Sequence, residues 1–270
     1  MTESVWPEGL QCVVTLSFDV DGTSPIVGNP LMASRPSLMS MREYGPSVGV
    51  PRILDFLDDW GIKASFYVPS FIAETHPAMT EELAKRGHEV GAHGYMHEPL
   101  PGMPLVEETE ILDKSMRILQ GLTGQKLLGY RAPSWDLTPN SLALLKSRGF
   151  VYDSSLMGND IPYREEGMIE LPVQWILDDA PFFAYPPGER GPSPMASPQQ
   201  VYDVWSSEFE GIYRYGRYFM LTMHPWITGR PGRLLLLERL VRFIKDHPRV
   251  AFWRGDKVAE YWRERVTESG

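Results

Sequence analysis

Two short segments of this sequence combine the residue types that bind metal ions and move protons. The segment FDVDG contains Asp19 and Asp21, and the segment HGYMH contains His93 and His97 in an H-x-x-x-H spacing. One carboxylate and two imidazoles form a donor set with open positions, which suits a catalytic divalent ion. The other carboxylate would then be free to act as a base. Each pattern alone also arises by chance, because D-x-D-G is common in turns.

An arginine and a third histidine follow two other apolar runs. Arg131 comes after Leu127–Tyr130 and could fix a carboxylate through paired hydrogen bonds, although a structural ion pair would need the same residue. His224 ends the run YFMLTM and is a candidate general acid or base. The alternative for His224 is a purely structural role, which is the commoner one for a lone histidine after a strand.

The pattern of apolar residues predicts strands that alternate with helices. Strands are predicted at 12–18, 63–68, 88–92, 127–130, 151–153, 218–223 and 250–253, and helices at 49–60, 77–87, 105–120, 139–148, 232–245 and 256–265. Such alternation predicts a parallel sheet, and seven units predict a closed or nearly closed β/α barrel. The carboxyl ends of barrel strands build the active site, so the four patterns above are expected to meet at one face. Gly91 and Gly94 favour a loop rather than a helix around the two histidines.

Two stretches interrupt this alternation. Residues 22–48 are rich in Gly, Pro, Ser and Met, and residues 178–200 contain six prolines. Loops of this length in compact domains are usually functional lids or mobile segments. We expect a functional loop at 22–48, because it directly follows Asp21, and leave the role of 178–200 open.

Bulk composition limits the class of protein. The chain has 270 residues, 43% hydrophobic and 23% charged, with a net charge of −9, which argues against a nucleic acid partner. Cys12 is the single cysteine, so an internal disulfide is excluded. No secretory signal or membrane-spanning run is recognisable, which predicts a cytoplasmic protein. The composition of residues 22–48 also suggests a homo-oligomer contact.

Taken together, the patterns resemble the five motifs of the polysaccharide deacetylase family, also called the NodB-homology or carbohydrate esterase 4 family. The matching segments, in order, are Phe18–Gly22, His93–His97, Arg131–Trp135, Asp153–Ser155 and Leu221–Pro225. They lie within about residues 12–255, so the whole chain, 1–270, is predicted to be a single catalytic domain.

The resemblance implies a fold and a set of roles. The fold would be α/β, a distorted (β/α)7 barrel, with a divalent metal, usually Zn²⁺. The implied metal ligands are Asp21, His93 and His97, and the implied catalytic residues are Asp19 as base, Arg131 as its orienting partner, His224 as general acid and Asp153 as a neighbour that tunes His224. We also expect Tyr95, Pro133 and Trp135, within the same motifs, to contact the substrate.

Some residues depart from the common motifs, which bears on the substrate. Val20 separates the two aspartates, Gly94 replaces Ser or Thr, and the usual fourth-motif tryptophan is absent. These departures resemble a subgroup of cytoplasmic peptidoglycan-deacetylase-like proteins, allantoinase-like enzymes and cyclic imide hydrolases. The expected substrate is therefore an N-acetylated saccharide or, alternatively, a small amide, cyclic imide or ureide. A non-catalytic sugar-binding relative and a structural protein are the remaining alternatives.

Overall fold

The described part of the chain is built around one curled sheet of nine strands. The computed structural model describes residues 4–185 and 195–267. The strands are β1 (Cys12–Asp19), β2 (Ser65–Val68), β3 (Glu89–Ala92), β4 (Gly129–Tyr130), β5 (Tyr152–Asp153), β6 (Tyr163–Glu165), β7 (Met168–Glu170), β8 (Tyr218–Met223) and β9 (Val250–Phe252).

Helices pack around this sheet and join its strands. They are α1 (Ser24–Val27), α2 (Pro30–Ala33), α3 (Pro36–Tyr44), α4 (Val50–Trp60), α5 (Ser70–Thr75), α6 (Pro77–Lys85), α7 (Leu105–Thr123), α8 (Ser141–Ser147), α9 (Ala180–Phe183), α10 (Pro198–Tyr215), α11 (Pro225–Thr228), α12 (Pro231–Lys245) and α13 (Gly255–Thr267). In the described ranges, no helix is long and apolar enough to cross a bilayer.

The strand order produces a barrel that is almost closed. Seven parallel strands follow one another as β7-β5-β4-β3-β2-β1-β8. An isolated parallel bridge between Asp178 and Thr222 brings the chain after β7 against β8. All residues of β1 and β8 are buried, as expected for parallel strands covered on both faces. The predicted distorted (β/α)7 barrel is therefore confirmed.

The prediction that the strand at 250–253 belongs to the barrel ring is wrong. Residues 250–253 were expected to form the seventh strand, but β9 pairs with only the first three residues of β1, beside the ring. The missing ring member is β7, which forms a short antiparallel hairpin with β6. Both strands have only three residues, too few for a periodic pattern to be recognised in the sequence.

Helix α10, one of the longest in the described ranges, was not predicted from the sequence. Its buried residues are Val201, Trp205, Phe209 and Ile212, at spacings of four, four and three. Ser197 and Gln200 form a capping box at its start, and Gly216 ends it in the left-handed conformation. These signals were present in the sequence directly after the proline-rich stretch.

The stretch predicted as a loop at 22–48 is mostly helical, so that expectation is wrong. Helices α1, α2 and α3 follow one another and pass through a π-helical turn, Gly45–Gly49, into α4. We call residues 24–49 the cover segment. It lies against the carboxyl ends of the strands, where α3 and the π-turn pack on α11.

Close contacts fix the cover segment to the chain after β8. Tyr44 and Arg52 both donate hydrogen bonds to the carbonyl oxygen of Gly229. Gly49 packs so tightly that a Cβ there would lie 2.3 Å from the carbonyl oxygen of Pro225. Glycine is therefore required at this position, because any side chain would displace the backbone next to His224.

The second irregular stretch is only partly described. Residues 186–194, within the predicted loop at 178–200, lie outside the described residues. The described part begins with Asp178 and Asp179 and continues into α9. Both carboxylates are buried at the face where the strands end.

Candidate metal centre

The two aspartates of FDVDG lie where β1 reaches the barrel mouth. Asp19 is the last residue of β1, and the backbone N–H of Val20 still donates to Tyr67 on β2. The carbonyl of Asp21 accepts hydrogen bonds from both the backbone and the hydroxyl of Ser24, which closes a turn at Gly22, where φ is +50°. Both carboxylates are held in a buried position by the backbone around them.

The two histidines lie on a loop after β3, as predicted. Gly94 has a φ of +70° and His97 has a φ of +57°, an uncommon conformation for a residue with a side chain. The Glu98 carboxylate accepts the backbone N–H groups of Tyr95 and Met96 and so holds the turn. The loop directs both imidazoles toward Asp21.

These three side chains fit a divalent metal ion. Their ligand atoms lie within 4.8 Å of one another. The Oδ1 atom of Asp21 is 3.5 Å from His93 Nε2 and 3.8 Å from His97 Nε2, and it is buried with no hydrogen-bond partner among the described residues. A buried carboxylate oxygen without a partner is costly, and a bound cation would satisfy it. The donor set leaves positions open, as in catalytic zinc sites.

Neighbouring groups set the protonation states of these candidate ligands. His93 Nδ1 lies 2.7 Å from the carbonyl oxygen of Arg131, so Nδ1 carries the proton and donates while Nε2 keeps its lone pair for a metal. Burial alone would raise the pKa of Asp21, but His97, His93 and His224 together hold that pKa well below its usual range. Asp21 is therefore present as a carboxylate.

Asp19 is paired with a fully buried arginine. Arg131 donates to Asp19 Oδ1 at 2.7 Å and also to Ser17 and Ser154, with its guanidinium 4.0 Å above the Tyr67 ring. Burial alone would lower the pKa of Arg131, but Asp19 raises it, so the arginine stays charged. The second oxygen of Asp19 remains 4.0 Å from His93 Nε2 and faces the candidate metal position.

His224 lies on the other side of Asp21 and pairs with a carboxylate that the sequence analysis missed. Its Nε2 is 3.7 Å from Asp21 Oδ2, and its Nδ1 is 2.7 Å from Asp179 Oδ1. Asp179 also accepts the backbone N–H of His224 and the hydroxyl of Thr228. Although burial alone would lower the pKa of His224, Asp179 and then Asp178 raise it well above its usual range.

The prediction that Asp153 lies beside His224 is therefore wrong. In the described chain, the ion-pair contacts of His224 are with Asp21, Asp178 and Asp179. Asp153 instead accepts a hydrogen bond from Ser155 and faces Glu170. Burial raises the pKa of Asp153 to about 6 and that of Glu170 well above its usual range.

The three expected substrate contacts occupy different environments. Pro133 is buried and Tyr95 is half-buried, with the Lys114 ammonium 3.2 Å over its ring. Trp135 is almost buried and stacks at 4.3 Å on Trp175, which is 48% exposed. Ser134 and Trp135 both have positive φ values, a strained arrangement that fixes the direction of the Trp135 ring.

Replacing Asp179 with Asn is expected to lower kcat by about 10²-fold. Asn keeps the shape but removes the charge that raises the pKa of His224. A histidine with a lower pKa loses its proton at lower pH, so the alkaline limb of the kcat–pH profile should move to lower pH. The measurement is that profile for Asp179→Asn and, as the matched control, Asp153→Asn. Equal displacement of the alkaline limb in both variants would contradict the conclusion that Asp179 sets the pKa of His224.

Comparisons with known proteins point to one family. The family model described as "Polysaccharide deacetylase" matches residues 33–152. A solved structure from Mycobacterium smegmatis, assigned as a polysaccharide deacetylase, is 35% identical, with a TM-score of 0.93 and coverage of 98% of this chain and 95% of its own. The peptidoglycan deacetylase of Helicobacter pylori is 29% identical, with coverage of 94% of this chain and 97% of that protein.

The chain therefore belongs to the polysaccharide deacetylase family. This confirms the resemblance found in the motifs and the prediction of a deacetylase-type hydrolase, while the subgroup stays a prediction. The structure of Puue allantoinase, with a TM-score of 0.84, 24% identity and coverage of 96% of this chain and 92% of its own, shows that it has the same fold.

Proposed function

We propose that this protein is a metal-dependent hydrolase that removes acetyl groups from the nitrogen of N-acetylated saccharides. The observation that carries the proposal is the unpartnered Oδ1 of Asp21, which faces His93 and His97 between a candidate base and a candidate acid. Family membership supports the deacetylase chemistry.

Asp21, His93 and His97 would hold the ion, and Zn²⁺ fits their donor chemistry. When bound, the ion would polarise the amide carbonyl and lower the pKa of water in the site. The loop around Gly94 and the turn at Gly22 fix these side chains before substrate binds, so the protein does not have to reorganise them during the reaction.

Asp19 is the proposed base. Arg131 holds one of its oxygens, so the other oxygen is directed toward the metal position and can accept a proton from the attacking water. Because Arg131 is itself fixed by Ser17 and Ser154, the carboxylate cannot rotate away from this direction.

His224 is the proposed acid, and Asp179 is proposed to position it. Asp179 accepts a hydrogen bond from Nδ1 of His224, and Nε2 therefore faces the site beside Asp21. A protonated His224 can then donate to the leaving nitrogen as the carbon–nitrogen bond breaks. The arrangement of base, metal ligands and acid across one mouth supports hydrolysis over a purely sugar-binding role.

The proposal is tested by an activity panel on protein stripped of metal with a chelator and reloaded with Zn²⁺. We expect acetate release from N-acetylglucosamine oligomers by the reloaded protein and none by the stripped protein. Ring opening of hydantoin, succinimide or allantoin without acetate release would instead support the cyclic imide or ureide alternative. Binding of the oligomers with no turnover of any compound would support the non-catalytic alternative.

A further inference from the structure

An arginine outside every motif reaches the candidate site from the cover segment. Arg42 lies on α3, and its Nη1 is 3.8 Å from Asp21 Oδ2. The guanidinium carbon is 4.2 Å from the centre of the Trp226 ring. The side chain is 20% exposed, so it is not sealed in the protein interior.

The hydrogen-bond donors around Arg42 are poorly satisfied. Its Nε is buried and has no acceptor among the described residues, and the same is true of Trp226 Nε1. The contact with Asp21 is too long for a hydrogen bond. A buried donor without an acceptor costs about 1–3 kcal/mol, so a ligand that supplied an acceptor here would be bound favourably.

A structural role does not explain this residue fully. The cover segment is already attached to the chain after β8 by Tyr44, by Arg52 on α4 and by the contact between Gly49 and Pro225. A methionine or leucine could pack on Trp226 without burying an unpaired donor. The charge of Arg42 therefore needs another explanation.

The balance of charge around Asp21 indicates what Arg42 would bind. Arg131 is neutralised by Asp19, and His224 is neutralised by Asp179. Only Asp21 lies within ion-pair distance of Arg42 among the described residues, and in the proposed function the same carboxylate must also bind a divalent ion. The site would then carry a net positive charge, which favours an anionic substrate.

The position of Arg42 indicates which part of the substrate carries that charge. Arg42 Nη1 and His224 Nε2 lie 3.8 Å and 3.7 Å from the same oxygen, Asp21 Oδ2. His224 is the proposed donor to the leaving nitrogen, so Arg42 and this donor both border the region beside Asp21 Oδ2 where we expect the amine-bearing part to lie. A carboxylate within a few bonds of that nitrogen would be within reach of the guanidinium, which binds carboxylates well.

We propose that Arg42 is a specificity-determining residue that binds a carboxylate on the amine-bearing part of the substrate. The preferred substrates are then N-acetylated sugars that carry a negative charge close to the acetamido group. This inference rests on the proposed function, because it uses the same metal ligands and the same proton donor.

The test uses two substrates that differ only in charge. They are the disaccharide of N-acetylglucosamine and N-acetylmuramic acid, and the same disaccharide with its lactyl carboxylate converted to the amide. We expect Zn²⁺-loaded wild-type protein to prefer the acid at least tenfold in kcat/KM. Arg42→Met should reduce this ratio to near one, mainly through KM for the acid, and Arg42→Lys should retain part of it.

A matched control removes another arginine near the cover segment. Arg52→Met loses the bond to the Gly229 carbonyl but no group that faces Asp21, so its acid-to-amide ratio should stay at the wild-type value. Equal use of acid and amide by the wild type would overturn the proposal, as would an equal loss on both substrates in Arg42→Met. If neither compound releases acetate, the proposed function fails, and calorimetric binding of the same pair to wild type and Arg42→Met decides the role of Arg42 separately.

Discussion

Replacing His93 with Ala is expected to remove bound Zn²⁺ and to lower kcat/KM by more than about 10³-fold. In the proposed metal centre, His93 would supply one of three ligand atoms, and the Arg131 carbonyl fixes the direction of its imidazole. The measurements are the metal content of the purified variant and its acetate release at saturating Zn²⁺.

A histidine far from the site provides the control. His247 donates to the Phe243 carbonyl and packs among aromatic rings on α10 and α12. His247→Ala should keep both metal and turnover, even if its melting temperature falls. Full activity or a full complement of metal in His93→Ala would show that the ion, if one is used, is held elsewhere.

Replacing Asp19 with Asn is expected to reduce kcat by about 10²- to 10⁴-fold while Zn²⁺ stays bound. The amide has the shape of the carboxylate and can still contact Arg131, but it cannot accept a proton from water. Metal content and kcat, measured on the same preparation, check both halves of this expectation.

The Asp19→Asn variant also distinguishes a role for Asp19 as a base from a role as a metal ligand. Asp19 Oδ2 is 4.0 Å from His93 Nε2, so a small shift would make it a fourth ligand. Loss of metal in Asp19→Asn would assign Asp19 to the metal and contradict a purely basic role. Near-normal turnover with metal retained would contradict any catalytic role.

Part of the mouth was predictable because four of its residues directly follow predicted strands. The runs before Asp19, His93, Arg131 and His224 were recognisable as strands, and parallel strands place their carboxyl ends on one face. Those four positions came together as expected, although their chemical roles stay predictions. The register within each strand did not have to be known for this argument.

Asp179 could not be found in this way because no recognisable strand precedes it. The segment before it is irregular, and its position depends on one bridge between Asp178 and Thr222 and on its backbone N–H donating to the Thr222 carbonyl. Such a pairing joins residues more than forty positions apart and leaves no local periodicity. Asp153 was assigned to His224 because the segment Asp153–Ser155 resembles the fourth family motif; its location at the end of a strand was correct, but its partner was not.

Arg42 was missed for a different reason. Its segment was interpreted as a loop because of its glycine and proline content, whereas the prolines occupy the first turns of helices α1, α2 and α3. Proline at the start of a helix is favourable, so the same residues that suggested irregular structure in fact begin three helices.

The contact between Gly49 and Pro225 has a consequence for how substrates enter. Gly49 of the π-turn packs directly against the Pro225 backbone, which follows His224, and no side chain lies between the two backbones. The π-turn and His224, the proposed proton donor, are therefore expected to shift together. A substrate is then expected to be recognised by the fit of its acetamido group to the site rather than by closure of the cover segment over it.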